Sequence, residues 1–138
     1  MILLDTCTLL WLSADPPRLP PPVLAAIRQA PPGQRYVSAI SAYEIGVKHA
    51  RGSLSLPSPP RTWLDTTCAE RGLSVLPVTK AIAQTAGELP WHHRDPADRM
   101  ILATALDGDL TILTPDPEFR AYAGVSLLWD RKRGRRRT

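Results

Sequence analysis

The chain has 138 residues and a formal charge of +4, with 43% hydrophobic and 22% charged side chains. That length and composition suit one globular domain and exclude both a disordered chain and two ordinary domains. Six of the 17 basic residues lie in the last eight positions, Arg131 to Thr138, so residues 1–130 carry 11 basic and 13 acidic side chains. The body is therefore near −2, and the whole-chain charge is no evidence of a basic binding face. Cys7 and Cys68 are too few and too far apart for a disulfide scaffold or a zinc ribbon, which predicts a reducing, cytoplasmic setting. The apolar start lacks a basic leader and carries Asp5, and no segment approaches the roughly 20 apolar residues of a membrane span.

In chain order, Ile2-Leu3-Leu4 reads as a buried strand, followed by a turn at Asp5-Thr6 and a short helix bearing Leu9, Leu10 and Leu12. Prolines at 16, 17, 20, 21 and 22 make a rigid loop, and Pro22 suits the first turn of a helix to about Ala30, stopped by Pro31-Pro32-Gly33. Tyr36-Val37-Ser38 reads as a second strand. Ser41 with Glu44 three positions on has capping-box spacing for a helix to Gly52. An amphipathic helix with Trp63, Leu64 and Cys68 ends at Gly72, and Leu73 to Val78 forms a third strand. Thr79 caps a helix through about Leu89. A strongly apolar helix with Met100, Ile101, Leu102, Ala105 and Leu106 then leads to a fourth strand, Leu110 to Leu113. A helical turn around Phe119 and a last strand, Val125 to Trp129, complete the chain body. Short apolar strands alternating with helices predict an α/β fold, a parallel sheet with helices on both faces.

In such a sheet, functional groups gather beyond the carboxyl ends of the strands, where strand order reverses. Asp5 follows the first strand, Asp116 the fourth, Asp98 begins the helix leading into the fourth, and Glu44 lies in the helix after the second. Clustered carboxylates repel and raise one another's pKa unless a cation sits among them. All-oxygen ligands with open water positions favour Mg²⁺ or Mn²⁺ over Zn²⁺. Such an ion activates water and stabilises charge in phosphodiester hydrolysis, which makes nuclease chemistry the natural product of such a cluster.

The segments Leu3-Leu4-Asp5-Thr6 with Leu9-Leu10-Trp11, Val37-Ser38-Ala39 leading to Glu44-Ile45, Trp91 through Arg99, and Thr114-Pro115-Asp116 together resemble PIN domains, most closely the VapC-type ribonuclease toxins of toxin–antitoxin pairs. The resemblance covers residues 1 to about 130, in order and spacing. It implies a Rossmann-like sheet, Mg²⁺-dependent endoribonuclease activity leaving 3′-hydroxyl and 5′-phosphate ends, a homodimer, and inhibition by a small VapB-like antitoxin. Residue by residue it implies an acidic quartet of Asp5, Glu44, Asp98 and Asp116, with Asp5, Asp98 and Asp116 holding metal. Cys7 departs from the His often found in this subgroup, at a position not counted as a ligand.

Plainer roles stand beside these. Asp5 taken alone reads equally as a helix N-cap, Glu44 as the partner of Ser41, and Asp95 as a cap for the helix of Asp98. His92 and His93 invite a zinc site, although adjacent side chains seldom face one ion. Arg94 and Arg99 suit either the carboxylates, an RNA phosphate or surface ion pairs. Thr6 and Thr114 suit second contacts to the aspartates or turn roles. Trp11, Tyr43 and Trp63 read as core before antitoxin groove. Arg131 to Arg137 read as an unpacked tail that attracts RNA without sequence preference, or as a solvated terminus. Two other function classes compete: a haloacid-dehalogenase-like phosphatase, which needs a second Asp where Cys7 stands, and a catalytically inactive PIN-like binding module.

Overall fold

The computed structural model describes residues 1–130; the basic run 131–138 and its expected role lie outside the described residues. Five strands, β1 (Ile2–Leu4), β2 (Arg35–Ser38), β3 (Ser74–Leu76), β4 (Thr111–Leu113) and β5 (Ser126–Leu128), form one sheet in the order β3-β2-β1-β4-β5. Every pairing is parallel, as predicted. Six helices connect them: α1 (Thr6–Ala14), α2 (Pro21–Gln29), α3 (Ala39–Ala50), α4 (Pro60–Arg71), α5 (Lys80–Glu88) and α6 (Pro96–Gly108). The chain leaves β1 toward β2 on one side and returns to place β4 on the other. The strand order therefore reverses between β1 and β4, the position at which α/β sheets open a crevice.

The alternation of side chains along β1 divides the core. Ile2 and Leu4 point to a layer with Leu9, Val23, Val37, Ile45 and Trp63, while Leu3 points to the opposite layer with Ile101, Leu102, Ile112 and Phe119. All three residues of β1 are buried, which is why the strand reads as a continuous apolar run rather than an alternating one. A smaller cluster of Ile82, Ala86 and Ala103 joins α5 to α6. Trp63 is core as expected, whereas Tyr43 is 67% exposed because its position on α3 faces away from both layers. Among the described residues no helix is long and apolar enough to cross a membrane.

Two local expectations change. The helix after β2 begins three residues early, because Ser38, still extended at φ −88° and ψ 146°, caps it by accepting from the Ile40 N–H. Ser41 and Glu44 are consequently interior helix residues and form no capping box. The third strand is shorter than the Leu73 to Val78 run, since Pro77 has no N–H for a ladder.

The loop from Pro90 to Asp95 is irregular yet firmly held. Arg99, 4% exposed, donates to four backbone carbonyls: Ala86 at 2.7 Å, Leu89 at 2.7 Å, Pro90 at 3.0 Å and His93 at 2.9 Å. It contacts no carboxylate of the crevice, contrary to one of the roles the sequence offered; its guanidinium closes the carboxyl end of α5 and binds the loop to it. Tyr122 adds a second tie, its hydroxyl accepting from the His93 N–H and donating to the Pro90 carbonyl. Arg99→Leu should strand these buried acceptors and cost about 3 kcal/mol or more, read as a lower urea midpoint; a loss under about 1 kcal/mol would show that water replaces the guanidinium.

Candidate active site

Asp5 is the residue immediately after β1 and caps α1, its Oδ1 accepting from the Thr8 N–H at 2.8 Å. Its Oδ2 accepts from the Thr114 hydroxyl at 2.5 Å, and that hydroxyl oxygen in turn accepts from the Asp116 N–H at 3.1 Å. Thr114 thus ties the end of β1 to the segment beyond β4. The capping role and a place in the crevice coincide at Asp5.

Glu44 reaches the crevice from the second turn of α3. Its Oε1 accepts from the Thr6 hydroxyl, which also lies 2.8 Å from the Ser41 hydroxyl; with the Thr6 proton committed to Glu44, Ser41 is the donor to Thr6. Asp98 sits in the first turn of α6, whose cap, Asp95, accepts from the Asp98 N–H at 3.0 Å. Asp116 follows β4 and caps the helical turn Pro117–Ala121 by accepting from the Glu118 N–H at 2.9 Å.

At the centre lies His93. Its Nε2 is 2.9 Å from Asp116 Oδ2, 3.1 Å from Asp98 Oδ2 and 3.6 Å from Glu118 Oε2. Ligand atoms of His93, Asp98 and Asp116 all lie within 4.8 Å of one another. Of the residues singled out as metal ligands, Asp98 and Asp116 belong to this group, and Asp5 adjoins it through Thr114. Neither His93 nor Glu118 figured in the acidic quartet. Glu118, two residues past Asp116, left no signal in the sequence, while His93 was visible only as half of a doubtful zinc pair.

Burial and repulsion act on the cluster together. Desolvation chiefly raises the Asp5 carboxyl above its ordinary range and the charge of Asp116 adds to it, against hydrogen bonds from Thr114 and Thr8. Glu44 is raised by burial first, opposed by Thr6 and Lys48, and further raised by Asp95 and Asp5. Asp98 is pushed up to about 7 by burial and then by Asp95, with His93 opposing and Glu44 and Asp5 adding. The four carboxylates therefore share one electrostatic neighbourhood although they come from distant segments. Their chemistry fits a divalent cation: oxygen donors, mutually repelling, with proton affinities that positive charge would lower. Cys7 is a poor candidate for reaction or ligation, its thiol raised to about 11 by burial and then by Asp5.

Comparison with known proteins bears on this arrangement. The PIN domain family matches residues 2–125, and the chain belongs to that family. Ribonuclease VapC22 of Mycobacterium tuberculosis is 32% identical over 122 residues, covering 88% of this chain and 91% of that protein. FitAcB of Neisseria gonorrhoeae superposes with a TM-score of 0.62 at 26% identity, covering 93% of this chain and 96% of that one. VapBC2 of Rickettsia felis, solved on a fragment of promoter DNA, superposes at 0.70 with 17% identity, covering 94% and 100%, which is a likeness of fold.

The raised Asp98 carboxyl carries a pH signature. Its folded value lies above the ordinary 3.8, so without metal the native state loses stability as pH rises from about 4 to about 7, with no further loss above that range. Thermal unfolding in EDTA should therefore show Asp98→Asn more stable than the parent at about pH 8 and nearly equal at about pH 4. A parent whose melting temperature climbs through that window, with the variant lower throughout, would contradict it.

Proposed function

We propose that the chain is the toxin of a VapBC-type pair, a Mg²⁺-dependent endoribonuclease acting in the cytoplasm. The observation that carries this reading is the convergence of Asp5, Glu44, Asp98 and Asp116 on the β1–β4 crevice, with three of them raised in proton affinity by their surroundings. The PIN family match and the VapC22 relative direct that crevice toward RNA.

Asp5, Asp98 and Asp116 hold the cation. When bound there, Mg²⁺, or Mn²⁺ in its place, supplies an activated water and offsets charge developing on the phosphate. Asp5 keeps its orientation because the Thr8 N–H and the Thr114 hydroxyl engage both of its oxygens. Glu44, anchored by Thr6, orients the attacking water and accepts its proton; its raised proton affinity suits a general base. The P–O3′ bond breaks, the 3′-oxygen takes a proton from solvent water to become a hydroxyl, and the phosphate stays on the 5′ end of the downstream fragment.

Protein partners follow the same reasoning. The structural neighbours include toxin–antitoxin complexes, which supports a small VapB-like antitoxin that inhibits by placing a basic side chain among these carboxylates. A homodimer is the expected assembly. Residues 1–130 form the catalytic unit, and the basic run that follows draws RNA in electrostatically.

Purified protein incubated with total RNA in Mg²⁺ should release 5′-phosphorylated fragments, and EDTA should abolish the activity. Asp5→Asn and Asp98→Asn should each lose about two orders of magnitude in rate, the scale of removing a partner of transition-state charge. Cleavage that persists in EDTA, or full activity in both variants, would reject the mechanism. Deleting residues 131–138 should flatten the salt dependence of RNA binding by the inactive Asp98→Asn protein; an unchanged slope would leave the run without that role.

A further inference from the structure

Buried among the carboxylates is one aromatic nitrogen base without a place in the quartet. His93 is 4% exposed and its ring packs against Phe119, with centroids 5.2 Å apart. The Asp95 N–H donates to Nδ1 at 3.3 Å. A nitrogen that accepts an N–H carries no proton of its own, so in this arrangement the ring hydrogen lies on Nε2. That Nε2–H is hydrogen-bonded to Asp116 Oδ2 at 2.9 Å, and Asp98 Oδ2 lies 3.1 Å from the same nitrogen. In that tautomer Nε2 acts as a donor to carboxylate oxygen, a different use of the ring from the zinc ligation the sequence offered.

The main chain of His93 is fixed as firmly as its ring. Its N–H donates to the Tyr122 hydroxyl at 2.8 Å and its carbonyl accepts from Arg99 at 2.9 Å. Any residue could make these main-chain contacts; what the imidazole adds is an Nδ1 that accepts from Asp95 and an Nε2 that is turned to Asp116. We propose that His93 is a positioning residue, whose Nε2–H holds the Asp116 carboxylate beside that of Asp98, in the mutual orientation that a divalent cation requires. It acts through those two side chains and touches neither metal nor RNA. The inference rests on the metal-dependent reading of the site.

The test measures Mn²⁺ affinity of the full chain by calorimetry, with unfolding in EDTA as the control for folding. His93→Leu should weaken Mn²⁺ binding about 10- to 100-fold, the usual cost of losing a partner that orients a ligand. His93→Gln, which restores an N–H donor, should recover a large part of that loss. A dissociation constant for His93→Leu within about threefold of the parent, or a tighter one, overturns the positioning role. No measurable Mn²⁺ binding by the parent, or parent-like binding by Asp98→Asn, overturns the metal-dependent reading itself. Nitrogen NMR of the parent imidazole gives an answer even if His93→Leu does not fold. The Nε2–H tautomer should persist when Mg²⁺ saturates the site, and loss of that proton on Mg²⁺ binding overturns the proposal.

Discussion

Everything in this molecule turns on bringing like charges together. Asp5, Glu44, Asp98 and Asp116 are far apart in sequence, and each is delivered to one crevice from a different segment: Asp5 and Asp116 from beyond strand ends, Asp98 from the first turn of α6, and Glu44 from the interior of α3. Left alone in a partly dry site they would repel and take up protons, as the direction of the Asp5, Glu44 and Asp98 shifts indicates. The surrounding chain answers with fixed donors: the Thr8 N–H and Thr114 hydroxyl for Asp5, Thr6 for Glu44, the Glu118 N–H and His93 for Asp116. These hydrogen bonds stabilise the charged forms and set directions, but they leave the net negative charge of the crevice in place. That residue of charge is what makes a cation fit there.

The sheet makes such delivery economical. Asp5 and Thr6 are consecutive, yet Asp5 is linked through Thr114 to the β4 side while Thr6 holds Glu44 on the β2 side. Two adjacent residues at the end of the central strand therefore index both flanks of the crevice. A slip of one residue in β1 would send its apolar side chains to the wrong layers and move both hydrogen bonds at once, so packing and site geometry enforce the same register.

Much of this was legible before any coordinates. The apolar runs and their punctuation by Pro and Gly located all five strands and six helices, because buried parallel strands and capped helices leave strong local signals. Errors arose where two local signals competed. Ser38 and Ser41 both look like caps, and only the extended backbone at Ser38, continuous with β2, decides between them. Arg99 looked like a partner for acids or phosphate, since sequence cannot reveal four backbone carbonyls converging from α5 and a loop. His93 is hard to read in the sequence for a related reason: its meaning lies in the Asp95 N–H that fixes its tautomer and in the carboxylates of Asp116 and Asp98 brought beside it by the fold. Asp5, Asp98 and Asp116 can be singled out because each follows a strand or opens a helix, and Glu44 because its helix follows β2; several of the hydrogen-bonded partners that orient them are non-local.

Arg99 grips the Pro90–Asp95 loop through main-chain oxygens, which every amino acid supplies, and through the face of the Trp91 ring, whose centroid lies 4.0 Å from the guanidinium carbon. The loop's shape thereby depends more on its main chain than on most of the side chains it displays. Trp91, 67% exposed, and Arg94 stand on this braced backbone, on a surface shared with Ala83 and Gly87 of α5 and Pro96 and Met100 of α6. Such a segment can exchange its outward residues over evolutionary time while His93 and Asp98 stay where they are. A scaffold of that kind permits the surface next to the carboxylates to diversify without disturbing them.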